Sequence, residues 1–107
     1  MFARRVSLDL KSNNNVADFT EMFEKEVIPM LRKQKGFQDE LMFVQPGGTK
    51  AFGISLWDRK EDAEVYGRET YPAVEKILSK FVEGSPRIAS YDVRNSTYHK
   101  IGTPVTV

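Results

Sequence analysis

The sequence predicts an α+β domain of βαββαβ order: a four-stranded antiparallel sheet with two helices on one face, the ferredoxin-like arrangement. Three observations lead there. Four short segments alternate apolar and polar residues with period two, two longer ones repeat their apolar residues at helical spacing, and clusters of Gly and Pro separate them. The 107 residues make one domain, 1–107, with its core over about 2–94 and a C-terminal tail over 95–107. A domain of this size buries only roughly 60–70% of the surface its unfolded chain exposes, so a partner subunit would add to a modest core.

Phe2–Leu10 alternates Phe2, Arg4, Val6, Leu8 and Leu10 against Ala3, Arg5, Ser7 and Asp9, a strand with one strongly apolar face. Lys11–Asn15 ends it. Asn15 is the expected cap of a helix of about five turns, with Asp18 near its positive end and Val16, Phe19, Phe23, Val27, Met30 and Leu31 at helical spacing. Pro29 removes the N–H that would bond the Lys25 carbonyl, which predicts a kink or restart there. Arg32, Lys33 and Lys35 suit the negative end of the helix, and Gly36 is the expected C′ residue.

Phe37–Gln45 is the second strand, with Phe37, Leu41 and Phe43 expected on one face and Met42 and Val44 on the other. Pro46, Gly47 and Gly48 supply a hairpin turn into the third strand, Lys50–Asp58. That strand has a bulky row of Phe52, Ile54 and Leu56 and a small row of Ala51, Gly53 and Ser55 that ends in Trp57, the only tryptophan. Asp58 and Glu61 have capping-box spacing, so a helix is expected to follow at once. It carries Ala63, Tyr66, Thr70, Val74, Ile77 and Phe81 along one stripe, with Leu78 and Val82 beside them. Gly67 and Pro72 interrupt it, and Pro72 is expected to start a second segment, Pro72–Val82. Gly84 and Pro86 end the helix, Arg87–Arg94 is the fourth strand, and Asn95–Val107 has no periodicity. Strands one and three belong at the centre of the sheet. Apolar residues lie on both faces of strands two, three and four, whereas helices cover one, so a homodimer formed sheet to sheet is expected.

Sixteen basic and fifteen acidic residues give a net charge of +1, which supplies no general attraction to nucleic acid or anionic lipid. No cysteine is present, so disulfides and thiolate chemistry are excluded. No apolar run approaches a membrane span, no membrane association is expected, and the cytoplasm is the expected compartment. His99 is the only histidine, so neither a multi-histidine zinc site nor a serine triad in the core can be built, and it reads as structural or exposed. Glu61, Asp62 and Glu64 complement a helix dipole, and no metal is expected. Lys50-Ala51-Phe52-Gly53-Ile54 echoes an RNA-stacking signature, but Ala51 replaces its first glycine and Ile54 its second aromatic, so no nucleic acid is expected.

Trp57, Tyr66 and Tyr71 remain: aromatic rings with polar tips where the sheet meets the second helix. The small row beside Trp57 and the interrupted helix above it mark that place for a pocket. The bland alternative is that all three are core.

The strand ending in Ser55-Leu56-Trp57-Asp58, the charged start Arg59-Lys60-Glu61-Asp62-Ala63, the broken helix, and Gly36-Phe37 at the entry to strand two resemble the antibiotic biosynthesis monooxygenase-like family of the dimeric α+β barrel superfamily. The resemblance covers about residues 2–94. It implies a homodimer with a pocket between sheet and helices, and an activity in which O₂ attacks hydroquinone- or anthrone-like substrates without a cofactor. Trp57 matches the family's strand-end tryptophan. The asparagine that the oxygenases place on a pocket strand is absent from Phe2–Leu10, Phe37–Gln45 and Lys50–Asp58, and where haem-degrading relatives have tryptophan and histidine this chain has Tyr66 and Lys76.

Two functions follow as expectations. The first is a homodimer that binds a small apolar or aromatic ligand beside Trp57 and resembles cofactor-independent monooxygenases. Tyr66 and Tyr71 would orient a hydroxyl or carbonyl and Arg4 would stabilise an anion; no residue is assigned as catalytic. The second is a non-catalytic ligand-binding or stress-related dimer with Trp57 in its core.

Overall fold

The computed structural model describes residues 1–101. Its strands are β1 (Phe2–Asp9), β2 (Phe37–Val44), β3 (Lys50–Trp57) and β4 (Arg87–Asp92), in one antiparallel sheet of order β2-β3-β1-β4. Strands one and three are central, as the βαββαβ order predicts. The helices are α1 (Val16–Met22), α2 (Ile28–Arg32), α3 (Lys60–Glu69) and α4 (Tyr71–Leu78).

The first helical rod departs from a regular α-helix where Pro29 requires it. A π turn, Phe23–Val27, joins α1 to α2, and the Ile28 N–H reaches back to the Phe23 carbonyl. Pro29 then lies in the first turn of α2, where its missing N–H costs least. The expected cap at Asn15 is corrected: its side chain makes no capping bond, and Ser12 caps a 3-10 turn, Asn13–Asn15, that precedes α1. Gly36 has the expected left-handed φ of 79°, but in a turn beyond the helix, closed by the Phe37 N–H to the Gln34 carbonyl. A Cβ there would lie 2.1 Å from Asp62 Oδ2, so glycine is required twice over.

Asp58 is not the cap of α3. Arg59 occupies that position without a capping bond of its own, while Asp58 Oδ1 accepts from Gln38 Nε2 at 2.6 Å. Asp62, in the first turn, pairs instead with the Arg59 guanidinium at 3.3 Å. Pro72 opens α4 as expected, although the segment runs Tyr71–Leu78 and not Pro72–Val82. In the β2–β3 hairpin, Pro46 and Gly47, with φ 70°, form the centre of a turn closed by the Gly48 N–H to the Gln45 carbonyl.

The most consequential correction lies in β2. The register runs Phe37 opposite Trp57 and then Asp39 opposite Leu56, so one extra residue bulges out. Alternation reverses across it. Phe37 therefore faces the helices with Trp57, whereas Leu41 and Phe43 face away from them opposite Ile54 and Phe52. Glu40, Met42 and Val44 turn inward opposite Ser55, Gly53 and Ala51.

The core lies between sheet and helices, with Leu8, Phe19, Val27, Leu31 and Trp57 almost fully buried. The other sheet face is uncovered over Leu41, Phe43 and Tyr91, which are 48, 43 and 50% exposed. There Phe43 and Phe52 stack at 4.8 Å and the Arg5 guanidinium lies 4.5 Å from the Phe52 ring centre. Asn95–Ile101 form no helix or strand, and residues 102–107 of the predicted tail lie outside the described residues. His99, without a visible partner in the sequence, bonds the Asp39 side chain. β4 and β2 are opposite edges of the sheet, so only the folded chain brings these two residues together.

Candidate functional site

Strand pleat and register place Arg4, Val6 and Leu8 of β1 and Gly53 and Ser55 of β3 on the helix-facing side, with Glu40 and Met42 beside them on β2. The π turn contributes Phe23 and Val27 from above, and α3 and α4 contribute Tyr66 and Tyr71. These side chains line a partly open cavity of about 30 Å³, room for roughly two water molecules.

Arg4 is the charged group inside. It is 7% exposed, and its guanidinium lies 4.1 Å from the Tyr71 ring centre and 5.3 Å from that of Tyr66. Such stacking suits a delocalised cation that is short of water. Gly67 of α3 lies beside it: a Cβ there would make ordinary van der Waals contact with Arg4 Nε, at 3.8 Å. Burial lowers the Arg4 pKa, against the pull of the two tyrosines and Glu40. None of the ion pairs among the described residues includes Arg4 or Glu40.

Glu40 lies across the sheet above Gly53, where an added Cβ would meet its Oε1 at 2.6 Å and Met42 Cε at 3.0 Å. The small row therefore serves β2: it admits a carboxyl group and a thioether over the third strand. Glu40 is half-buried, between the cavity and the outer groove, and the loss of water around its carboxyl pushes its pKa up to about 8, with the Arg4 charge opposing. Burial likewise raises the Tyr66 and Tyr71 phenols. Tyr71 Oη is buried without a hydrogen-bond partner of normal geometry, and burial raises its pKa against the pull of the neighbouring Arg4 guanidinium.

Of the four residues singled out in the sequence, Arg4, Tyr66 and Tyr71 line this cavity together. Trp57 stands one layer behind. It is 0% exposed, its Nε1–H donates to Ser55 Oγ at 2.8 Å, and Tyr66 and Phe37 pack on it at 5.1 and 5.6 Å. The space beside the indole is thus filled, and the opening lies beyond Tyr66. Sequence reasoning passed over Glu40, because plain alternation does not reveal a bulge. Its one local signal is that an inward Glu40 stands opposite the small row of β3.

Among the described residues no group of three or more His, Cys, Asp or Glu is placed to hold a metal ion. No helix among them is long and apolar enough to cross a membrane. What converges is a buried cation, a carboxyl group that titrates near neutrality and a phenol without a partner. Together they can accept a proton and stabilise the anion left behind.

No family model matches the sequence, and no curated protein matches it. The three-dimensional structure is similar to known ones. A monooxygenase from the gene ActVA-Orf6 of Streptomyces coelicolor, solved in complex with nanaomycin D, superposes with a TM-score of 0.76 at 18% identity, over 89% of this chain and 88% of the other. SnoaB, a cofactor-independent oxygenase from Streptomyces nogalater, does so with a TM-score of 0.72 at 10% identity, over 92% and 97%. A Nitrosomonas europaea protein of unknown function follows with a TM-score of 0.67 at 13% identity, over 96% and 95%. The fold of this chain is that of the antibiotic biosynthesis monooxygenase structures. At such identities the likeness is one of architecture.

Proposed function

We propose that the protein binds a small aromatic molecule carrying an ionisable hydroxyl or its keto tautomer, and oxidises it with O₂ without a bound cofactor. The observation that carries this reading is the convergence of Arg4, Glu40 and Tyr71 on one cavity between sheet and helices. The fold shared with a cofactor-independent oxygenase supports it. For an anthrone-like substrate, Glu40 takes a proton from the ring CH₂ and Arg4 stabilises the resulting enolate. The carbanion forms a C–O bond to O₂, reducing it to a hydroperoxide, and loss of water leaves a ring carbonyl. In net, CH₂ and O₂ become C=O and H₂O. The protein needs only to orient, deprotonate and exclude bulk water.

The expected result is oxygen uptake with anthrone above the rate without protein. It should rise with pH towards 8 as the Glu40 carboxylate forms, and fall to background in Glu40→Gln. Absence of uptake from wild type between pH 6 and 9, although anthrone binds, would end the catalytic reading. The second reading, a non-catalytic ligand-binding dimer, is favoured by one observation: the indole expected at the ligand is buried with its N–H already satisfied.

The working unit in both readings is a homodimer joined through the uncovered sheet face. Leu41, Phe43 and Tyr91 leave an apolar patch of the kind that stable monomers cover. Light scattering should give twice the chain mass, and Phe43→Lys, which sets a charge in that patch, should halve it. A wild-type monomer at micromolar concentration would refute the dimer.

A further inference from the structure

The cavity is too small for the ligand proposed. An apolar cavity of about 150 Å³ is what holds a single benzene ring, whereas this one measures about 30 Å³. Outside it, between the first helical rod and β2, lies a groove of about 170 Å³ bordered by Thr20, Phe23, Glu24, Ile28, Glu40 and Met42. Phe23, Glu40 and Met42 border both spaces, so they are the wall between them.

Resting on the reading of the cavity as a ligand site, we propose that Phe23 and Met42 are the gate through which the ligand enters from this groove, and that their bulk sets the largest ring admitted. Three observations carry the gate. Phe23 opens the π turn, where the regular i→i−4 ladder is interrupted, and such turns are places where a helix yields. Met42 has an unbranched, flexible side chain, and it lies over Gly53, the one position of β3 with no side chain to hold it. Opening these two joins cavity to groove without disturbing Trp57, which is packed on the far side of Tyr66. The opposite route runs under α3, past Gly67 and Lys60 to the other side of Arg4. It meets the Arg4 guanidinium stacked against two tyrosine rings, a septum with more contacts to break.

A gate changes how fast a ligand enters and leaves, and changes its equilibrium affinity little. Stopped-flow Trp57 fluorescence with 1-naphthol and with anthrone reads this. Met42→Ala should raise both the association and the dissociation rate, the association rate by about tenfold, with the larger gain for the three-ring anthrone. Met42→Phe should slow both rates. Phe23→Leu, which preserves most of the core volume, should shift them in the same direction as Met42→Ala. Unchanged rates in Met42→Ala and Phe23→Leu, or rates that respond to Gly67→Leu instead, would overturn the gate while leaving the pocket intact. Failure of either probe to bind wild type or any variant at equilibrium would overturn the pocket itself, and the gate with it.

Discussion

Trp57→Ala should lower the unfolding free energy by about 3–5 kcal/mol, the range for deleting a large aromatic side chain from a core. The indole is 0% exposed, braced by Phe37 and Tyr66, and at the end of a central strand paired with Phe2 of β1 and Phe37 of β2. A domain of this size has only about 5–15 kcal/mol in hand, so the alanine variant comes close to unfolding. Trp57→Phe keeps a ring against Tyr66 but withdraws the N–H from Ser55 Oγ, and should cost about 1–2 kcal/mol. Urea denaturation of the two variants measures both. A loss below 1 kcal/mol in Trp57→Ala would mean that the indole is not core. The difference decides how activity data are read: lost turnover in Trp57→Ala reports unfolding, and only Trp57→Phe, still folded, reports on the ligand.

Local chemistry and local period were legible in the chain. Pro46-Gly47 makes its turn, Pro29 breaks the regularity of the first rod, and the βαββαβ order puts β1 and β3 at the centre of the sheet. The expectations that failed depended on partners distant in sequence. Asp58 has the right spacing for a cap, yet its carboxylate bonds Gln38, twenty residues away, and α3 begins later. Asn15 loses the cap to Ser12 because the chain enters the helix through a 3-10 turn. Phe37 shares a face with Phe43 only in a strand without a bulge, and nothing local announces the extra residue near Gln38. That residue also decides the site. With regular alternation from Phe37, Glu40 would have faced away from the helices and remained an ordinary surface carboxylate. Arg4, Tyr66 and Tyr71 were legible as polar or aromatic residues on an apolar face. Their convergence became visible only with the register in hand.

Glu40→Gln should make the protein more stable in alkali while abolishing proton abstraction. The Glu40 carboxyl titrates at about 8 in the folded protein, against an ordinary value of 4.5, because burial disfavours its charge. Between those values the folded state holds a proton that the unfolded state has released. Stability is therefore fully present below about pH 4.5, falls as pH rises through that window, and levels off above about 8, a loss of at most a few kcal/mol. Glutamine cannot ionise and is free of this loss. Thermal denaturation should give wild type and Glu40→Gln similar Tm values at pH 5, and a higher Tm for the variant at pH 9. Parallel curves over that range would place the carboxyl in water and remove it as a tuned base. If the curves diverge as expected, the same burial accounts for both properties: the protein sacrifices stability above neutrality to keep beside Arg4 a carboxyl group poised to take a proton from a weak carbon or phenol acid.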